Sequence, residues 1–357
     1  MRVVHVHRMR GIGGSERHLL ALLPALAARG LDVDFVGLDD PGWDVEPFYA
    51  ELDRSGVAAA RIPAPRDVDA RLARSLRREF RRLDTDIVHT HLVHADLYGT
   101  LAVLGTRSAL VSTKHNDDRF RTGPFRVVEQ SLTRRAARVI AITEALRRFT
   151  VDEAGLPPGK VEVIHYGLDS LAEPWGANPD VPLPAGARVL LCVARLVPQK
   201  GVDVAVRALA RIRERHPDAV LVVLGEGPER PKLVGEGVYL PGRAGDVASW
   251  YRRAELVLHP ARWEGFGLVL LEAMLAEKAV VASAVSSIPE IVIDGETGLL
   301  VPADDPERLA AAAIQLLDDP ERAAVYGRAG HARARAQFSV ARMAERTAAV
   351  YATAIGS

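Results

Sequence analysis

The stretch 256–272, Leu-Val-Leu-His-Pro-Ala-Arg-Trp-Glu-Gly-Phe-Gly-Leu-Val-Leu-Leu-Glu, decides how the chain folds. A short apolar run at 256–260 gives way to a turn holding Gly265 and Gly267, and a helical run then covers 267–276. A strand that passes through a glycine-bearing loop into a helix is the repeating unit of a parallel sheet covered on both faces. Working outward, the same alternation recurs on either side. Strands are expected at 189–194, 220–225, 238–241 and 279–283, with helices at 202–215, 246–254 and 306–317.

The first half of the chain repeats the pattern. Strands are expected at 2–7, 33–38, 86–91, 109–114, 139–143 and 161–165, and helices at 18–29 and 69–83. Between the halves, 168–187 is rich in Pro, Gly and Asp and has no periodicity, which marks a linker. The expected organisation is therefore α/β: a doubly wound domain over 1–168, a linker over 169–187 and a second such domain over 188–338. A final helix within 339–357 should pack back on the first domain. Two such sheets would face each other across a cleft at their carboxyl ends, where doubly wound sheets bind ligands.

Bulk properties narrow the function. Basic and acidic residues balance at 46 each, so no nucleic-acid partner is expected. Only five of the basic residues are Lys, and Arg clusters at 61–82 and 119–148. Such helix faces are ordinarily solvated, but they also allow peripheral contact with an anionic membrane or acceptor. The single Cys192 excludes an intrachain disulfide framework and a cysteine-based zinc site. No apolar run reaches the ~20 residues of a membrane span. The first residues run straight into a strand pattern without signal-peptide architecture, so a cytoplasmic protein is expected, with the inner face of the membrane as a peripheral location.

The chemistry concentrates on loops that follow strands. Glu264 and Glu272 flank Gly265, Phe266 and Gly267, so the backbone can approach a ligand and the amides at the helix start favour negative charge. Carboxylates accept hydroxyl donors, and a pair so placed could hold a sugar at one end and a ribose at the other. Arg195 ends a strand and Lys200 precedes a helix; together they can neutralise a diphosphate without a metal. Gly225, in Gly225-Glu226-Gly227-Pro228, is expected to shape a nucleobase pocket.

In the first half, Gly13 and Gly14 lie in a turn whose amides can bind the donor, facing its diphosphate or the transferring sugar, with Ser15 suited to cap the following helix. The segment Asp86-Ile-Val-His-Thr-His-Leu-Val-His-Ala-Asp96 brings three histidines to a strand end, His89 and His91 sharing one face. A zinc site from His89, His91 and His94 is the sharper reading, but histidines this close in sequence rarely converge, and no fourth ligand is evident. One histidine contacting a sugar is the reading preferred. His115, Asn116 and Asp117 follow the next strand, where they could meet an acceptor, as could His94. Three Asp-x-Asp pairs (Asp32 and Asp34, Asp67 and Asp69, Asp84 and Asp86) lie at strand starts or before an Arg-rich helix, and are read as structural, so no metal or other cofactor is expected.

Taken together, these residues resemble the retaining glycosyltransferases of family 4, with the GT-B fold of two Rossmann-like domains, over nearly the whole chain. The resemblance rests on Gly13-Gly14-Ser15-Glu16, the segment from His89 to His94, Arg195 with Lys200, and Glu264 to Glu272. Pro289-Glu290-Ile-Val and Asp294-Gly-Glu-Thr-Gly-Leu-Leu-Val-Pro complete it. It implies transfer of a hexosyl group from a UDP- or GDP-sugar to a hydroxyl on a carbohydrate, lipid-linked or small-molecule acceptor, without metal and by a front-face mechanism. It also implies Arg195 and Lys200 at the diphosphate, Glu264 with Gly265, Phe266 and Gly267 at the sugar, Glu272 at the ribose, and His91 beside the sugar. Tyr166 stands where family members often have Asn, and Arg262 and Trp263 where smaller residues are common. A nucleotide-sugar epimerase or hydrolase of the same fold is the alternative enzyme. A non-catalytic nucleotide-sugar-binding partner subunit is the alternative from another class, against which the intact charges of Arg195, Lys200, Glu264 and Glu272 argue.

Overall fold

The computed structural model describes residues 1–67, 69–116, 126–171, 177–178 and 180–356. The chain divides into two compact units, one of Met1–Gly167 with Val340–Ser357 and one of Leu168–Ser339.

In the first unit the order is β1 (Arg2–Met9), α1 (Gly14–Ala28), β2 (Asp32–Asp39), α2 (Glu46–Arg54), β3 (Ala58–Pro63), α3 (Ala70–Arg82), β4 (Ile87–His91), α4 (Leu92–Val103), β5 (Ala109–Lys114), α5 (Arg126–Arg135), β6 (Arg138–Ala141), α6 (Glu144–Arg148) and β7 (Val161–Val163). The seven strands form one sheet in the order β3-β2-β1-β4-β5-β6-β7. Every pairing is parallel. The central strands are buried on both faces, which is why β1 reads as an unbroken run, Val-Val-His-Val-His, and does not alternate with polar residues.

The second unit continues with β8 (Arg188–Val193), α7 (Val202–Arg215), β9 (Ala219–Leu224), β10 (Val238–Gly242), α8 (Val247–Arg253), β11 (Leu256–His259), α9 (Leu268–Leu275), β12 (Ala279–Ser283), α10 (Ile288–Ile291), β13 (Gly298–Val301), α11 (Pro306–Asp318) and α12 (Pro320–Gln337). Its sheet runs β10-β9-β8-β11-β12-β13, again parallel. Both sheets therefore start in the middle, wind to one edge and return to build the other, as in Rossmann-like domains.

The last helix, α13 (Val340–Ile355), belongs to the first unit. Its Met343, Ala344, Val350, Tyr351 and Ala354 join the core made by β1, α1 and β2. Burying Met343 and Val350 is worth roughly 1.5–3 kcal/mol each, so this helix is held by packing more than by propensity. No described helix is long and apolar enough to cross a membrane.

Local details differ from the sequence reading in instructive ways. The edge strands β3 and β13 are absent from it, because Ala58–Pro63 is small-residued and half-exposed and Gly298–Val301 has only four residues. α4 is absent too. It opens directly after His91, through Leu92 in the left-handed region at φ 67°. α1 begins four residues before its expected start, with Gly13 and not Ser15 at the cap position. In α3 the reading holds: Leu72, Leu76 and Phe80 recur at four-residue spacing on the buried face, and Asp69 caps the helix by accepting the Arg71 N–H at 2.8 Å.

Candidate active site

In the second unit, the carboxyl ends of β8 and β11 bring one acid and two bases together. Glu264 follows β11 and is buried. Its Oε2 accepts from Lys200 Nζ at 2.6 Å and lies 3.0 Å from Nε2 of His259, the last residue of β11. Burial alone would raise the Glu264 carboxyl, but the His259 hydrogen bond and the Lys200 charge outweigh it and hold the group at about 2. The acid is therefore a fixed carboxylate at neutral pH. Among the described residues, its Oε1 receives no hydrogen bond.

The loop around it is shaped by Ser287, whose hydroxyl donates to the carbonyls of Glu264 (3.1 Å) and Phe266 (2.9 Å). Gly267 then turns the chain into α9 at φ 100°, a conformation a side chain would strain. The Phe266 ring is buried against Phe338. Within α9, Glu272 is buried and accepts from the Tyr251 hydroxyl at 2.9 Å. Arg195 lies two residues beyond β8. It is exposed and has no side-chain partner among the described residues.

Two residues change character here. Gly225, read as shaping a base pocket, has a packing reason of its own: a Cβ there would sit 1.9 Å from the Ala194 carbonyl oxygen, at φ 138°. Arg262, which stands where smaller residues are common among family members, has structural partners of its own. Its guanidinium makes a two-pronged pair with Asp203 (2.9 and 2.8 Å) and also binds Asp304 and the Pro198 carbonyl. That clamps the loop ahead of Glu264 to the first turn of α7.

In the first unit, the Gly13 amide already meets an anion. It donates to Glu16 Oε2 at 2.9 Å, and the Ser15 hydroxyl donates to the same oxygen at 3.0 Å. The histidines are drawn inward. His91 is fully buried, its Nε2 2.9 Å from His5 Nδ1 and its Nδ1 3.0 Å from His115 Nε2. Both of its nitrogens are thus spent on neighbours, which places it inside the unit and not at a rim. His115 is buried as well, hydrogen-bonded through Nδ1 to the Tyr166 hydroxyl. Asn116, next along the chain, is half-buried, and Asp117 lies outside the described residues.

His94 is separated from His89 and His91. It is half-buried on α4, 3.4 Å from Asp67, and burial lowers its imidazole. The three histidines whose nitrogens do converge, within 4.8 Å of one another, are His5, His89 and His91. The turn at Leu92 is what removes His94 from the group. The Asp-x-Asp residues have structural partners: Asp32 and Asp34 face Arg2, Asp67 pairs with Arg8, Asp84 with Arg107, and Asp86 accepts from the Arg2 amide. His259, Ser287 and His5 were not singled out by the sequence reading. A residue closing a strand just before a proline was the available sign for His259.

The chain matches two family descriptions in tandem: "Glycosyltransferase Family 4" over residues 12–170 and "Glycosyl transferases group 1" over 187–319. Among curated relatives, it is 31% identical to D-inositol 3-phosphate glycosyltransferase of Kineococcus radiotolerans, covering 96% of this chain and 91% of that one. It is 34% identical to alpha-maltose-1-phosphate synthase of Mycolicibacterium smegmatis, over 74% and 78% of the respective chains. Among solved structures, Anabaena Alr3699/HepE in complex with UDP and glucose superposes with a TM-score of 0.83 at 21% identity, over 99% of both chains. A glycosyltransferase from Rickettsia africae superposes at 0.84 with 17% identity, over 99% and 98%. These superpositions speak to the fold.

Proposed function

The chain belongs to the group 1, family 4 glycosyltransferases of the GT-B type, and from that premise we propose that it moves a hexosyl group from a UDP- or GDP-sugar to a hydroxyl acceptor with retention and without a metal. The observation that carries this is the Glu264 carboxylate: Lys200 and His259 hold one of its oxygens, and the other receives no hydrogen bond among the described residues. A buried anion fixed in this way is suited to accept a sugar hydroxyl.

The remaining roles follow from position. Arg195, exposed, and Lys200, at the edge of the same loop, supply positive charge for the donor diphosphate, the task a divalent ion performs in other transferases. The amides of Gly265, Phe266 and Gly267 lie at the start of α9, where partial positive charge favours an anion. Glu272 takes the ribose end. In transfer, the bond between the sugar's anomeric carbon and the diphosphate oxygen breaks, and the acceptor oxygen bonds to the same face. The acceptor's proton passes to the departing phosphate. No paired acid and base of the hydrolase kind is then required. The first unit, with His94 on α4 and with His115 and Asn116 just after β5, would take the acceptor side. His91 would serve that side through its bonds to His5 and His115.

The test is a donor panel of UDP-, GDP- and ADP-sugars, UDP-glucose first, against sugar phosphates, lipid-linked sugars and oligosaccharides. The expected result is transfer with the anomeric configuration of the donor kept, read by NMR of the product. An inverted product would overturn the retaining reading. Epimerised or hydrolysed donor in the absence of any acceptor would favour the alternative enzyme. Donor binding without turnover on any acceptor would favour a partner subunit.

A further inference from the structure

Inside the first unit, seven side chains form one unbroken line of hydrogen bonds. Thr113 Oγ1 lies 2.6 Å from His89 Nε2, and His89 Nδ1 lies 2.6 Å from the Tyr351 hydroxyl. That hydroxyl lies 3.1 Å from His5 Nε2. The line then runs from His5 Nδ1 to His91 Nε2, from His91 Nδ1 to His115 Nε2, and from His115 Nδ1 to the Tyr166 hydroxyl. All seven are buried. Burial lowers His5 to about 3 and takes His89 and His91 well below the usual imidazole range. These three rings are therefore neutral at physiological pH.

A neutral imidazole donates from one nitrogen and accepts at the other. A line of such rings therefore has a direction. If Thr113 donates to His89, every later proton must point toward Tyr166; if Tyr166 donates to His115, every proton points the other way. A reversal between two rings would set lone pair against lone pair or hydrogen against hydrogen. A reversal at Tyr351 would leave its own hydroxyl proton buried without an acceptor on this line. Tyr351 is also the member contributed by α13, and without it His89 is disconnected from His5.

The line has a mechanical consequence at His91. Immediately after it, Leu92 adopts φ 67°, a conformation that costs a bulky residue energy and persists only where its surroundings hold it. There α4 begins, with no side-chain cap from His91. The His91 ring is fixed on both sides, by His5 and by His115, so the strained turn and the first amides of α4 are held at the carboxyl edge of β4.

We propose that Tyr351 is a positioning residue for the transfer reaction: by joining His89 to His5 it locks the tautomers of His91 and His115 and fixes the turn from β4 into α4 and the end of β5 at His115, on the acceptor side. This rests on the reading of the first unit as the acceptor side. It acts through the histidines and touches no substrate.

The test uses the full chain labelled with 15N-histidine, together with transfer kinetics. Long-range 15N–1H spectra should show His5, His89, His91 and His115 each as a single neutral tautomer, in one consistent direction. In Tyr351→Phe, His91 and His115 should become tautomer mixtures. The acceptor KM should rise roughly 3- to 10-fold, the scale of one lost hydrogen bond, while the donor KM stays unchanged. A purely structural defect would instead lower kcat with both KM values intact, and would overturn the proposal. Thr113→Val, a near-isosteric change at the far end of the line, checks the lock should Tyr351→Phe fold poorly: it too should mix the tautomers. Mixed tautomers in the unaltered protein would overturn the lock, and so would uptake of one Zn2+ per chain that is lost in His5→Gln, since a metal would consume the lone pairs. Failure of the unaltered protein to transfer from any donor would instead overturn the functional reading and with it the positioning role, the lock itself being decided by the spectra.

Discussion

Replacing Glu264 by Gln should change the stability of the protein in a pH-dependent way whose size follows from the site. The Glu264 carboxyl sits at about 2 in the folded chain against an ordinary value of 4.5. A depressed acid contributes stability that is present above 4.5 and is lost as the pH falls through 2. At 1.36 kcal/mol per unit, the 2.5-unit difference (4.5 − 2) amounts to about 3 kcal/mol at pH 7. The same linkage leaves about 1 kcal/mol at pH 3 and almost nothing at pH 1. Glutamine has the shape of the acid but cannot ionise, so it forfeits this contribution. Lys200, left without its partner, is partly exposed and can turn to water, so it adds little further cost. Urea unfolding of both proteins at pH 7, 5, 4 and 3 measures the gap directly. Titrating groups remote from Glu264 act on both proteins alike and cancel in the difference. A gap of about 3 kcal/mol at pH 7 that narrows by about 2 kcal/mol on going to pH 3 is expected. A gap that stays constant with pH would refute the depressed, doubly held carboxylate.

Three further outcomes are expected. Lys200→Met should lower kcat/KM for the nucleotide-sugar by about 10- to 100-fold, the cost of a lost charge-assisted interaction, while the fold survives by circular dichroism. Dialysis against EDTA should leave the transfer rate unchanged, and loss of activity restored by Mg2+ or Mn2+ would refute the assignment of Arg195 and Lys200 as the diphosphate's counter-charges. Gly225→Ala should destabilise the protein by about 2–5 kcal/mol in urea unfolding, from a strained φ and a Cβ driven into the Ala194 carbonyl.

Much of the fold was legible because doubly wound sheets write themselves in buried strands. Val-Leu-Val-Val-Leu at 220–224 has no polar alternation, and with its amphipathic neighbour 202–215 it could only be a central strand beside a covering helix. Elements that escaped had no such pattern. Ala58–Pro63 pairs with β2 through its backbone and offers the core little apolar surface. α4 has apolar and polar residues mixed around its circumference, since Ala95 and Ala102 are buried and so are Asp96 and Thr100. The polar ones are satisfied internally: Asp96 accepts from Thr90 and Ser112 at 2.6 Å each and pairs with Lys114 on the face of the sheet opposite the histidines. A helix that buries an ion pair carries no stripe to read.

The site was legible to the extent that its residues are neighbours in sequence. Glu264, Gly267 and Glu272 lie on one strand–loop–helix, and their arrangement follows from that unit. The histidines show the limit. Weighing His89, His91 and His94 together judged them by chain spacing, and the chain spacing misled, because Leu92 turns His94 onto a helix. Strand order was the better guide. In a doubly wound sheet the first and fourth strands are adjacent, and here each carries a His-x-His: His5 and His7 on β1, His89 and His91 on β4. Parallel pairing puts His5 beside His89 and His7 beside His91, and the two-residue pleat keeps all four on one face. Thr113 on β5 falls opposite His91 in the same way. The cluster was thus implied once the topology was accepted, although no local window contains it. Tyr351 was not implied, being 262 residues from its partner His89. Only the docking of the last helix brings it there, so the place of Tyr351 between His89 and His5 has to be read from the folded chain.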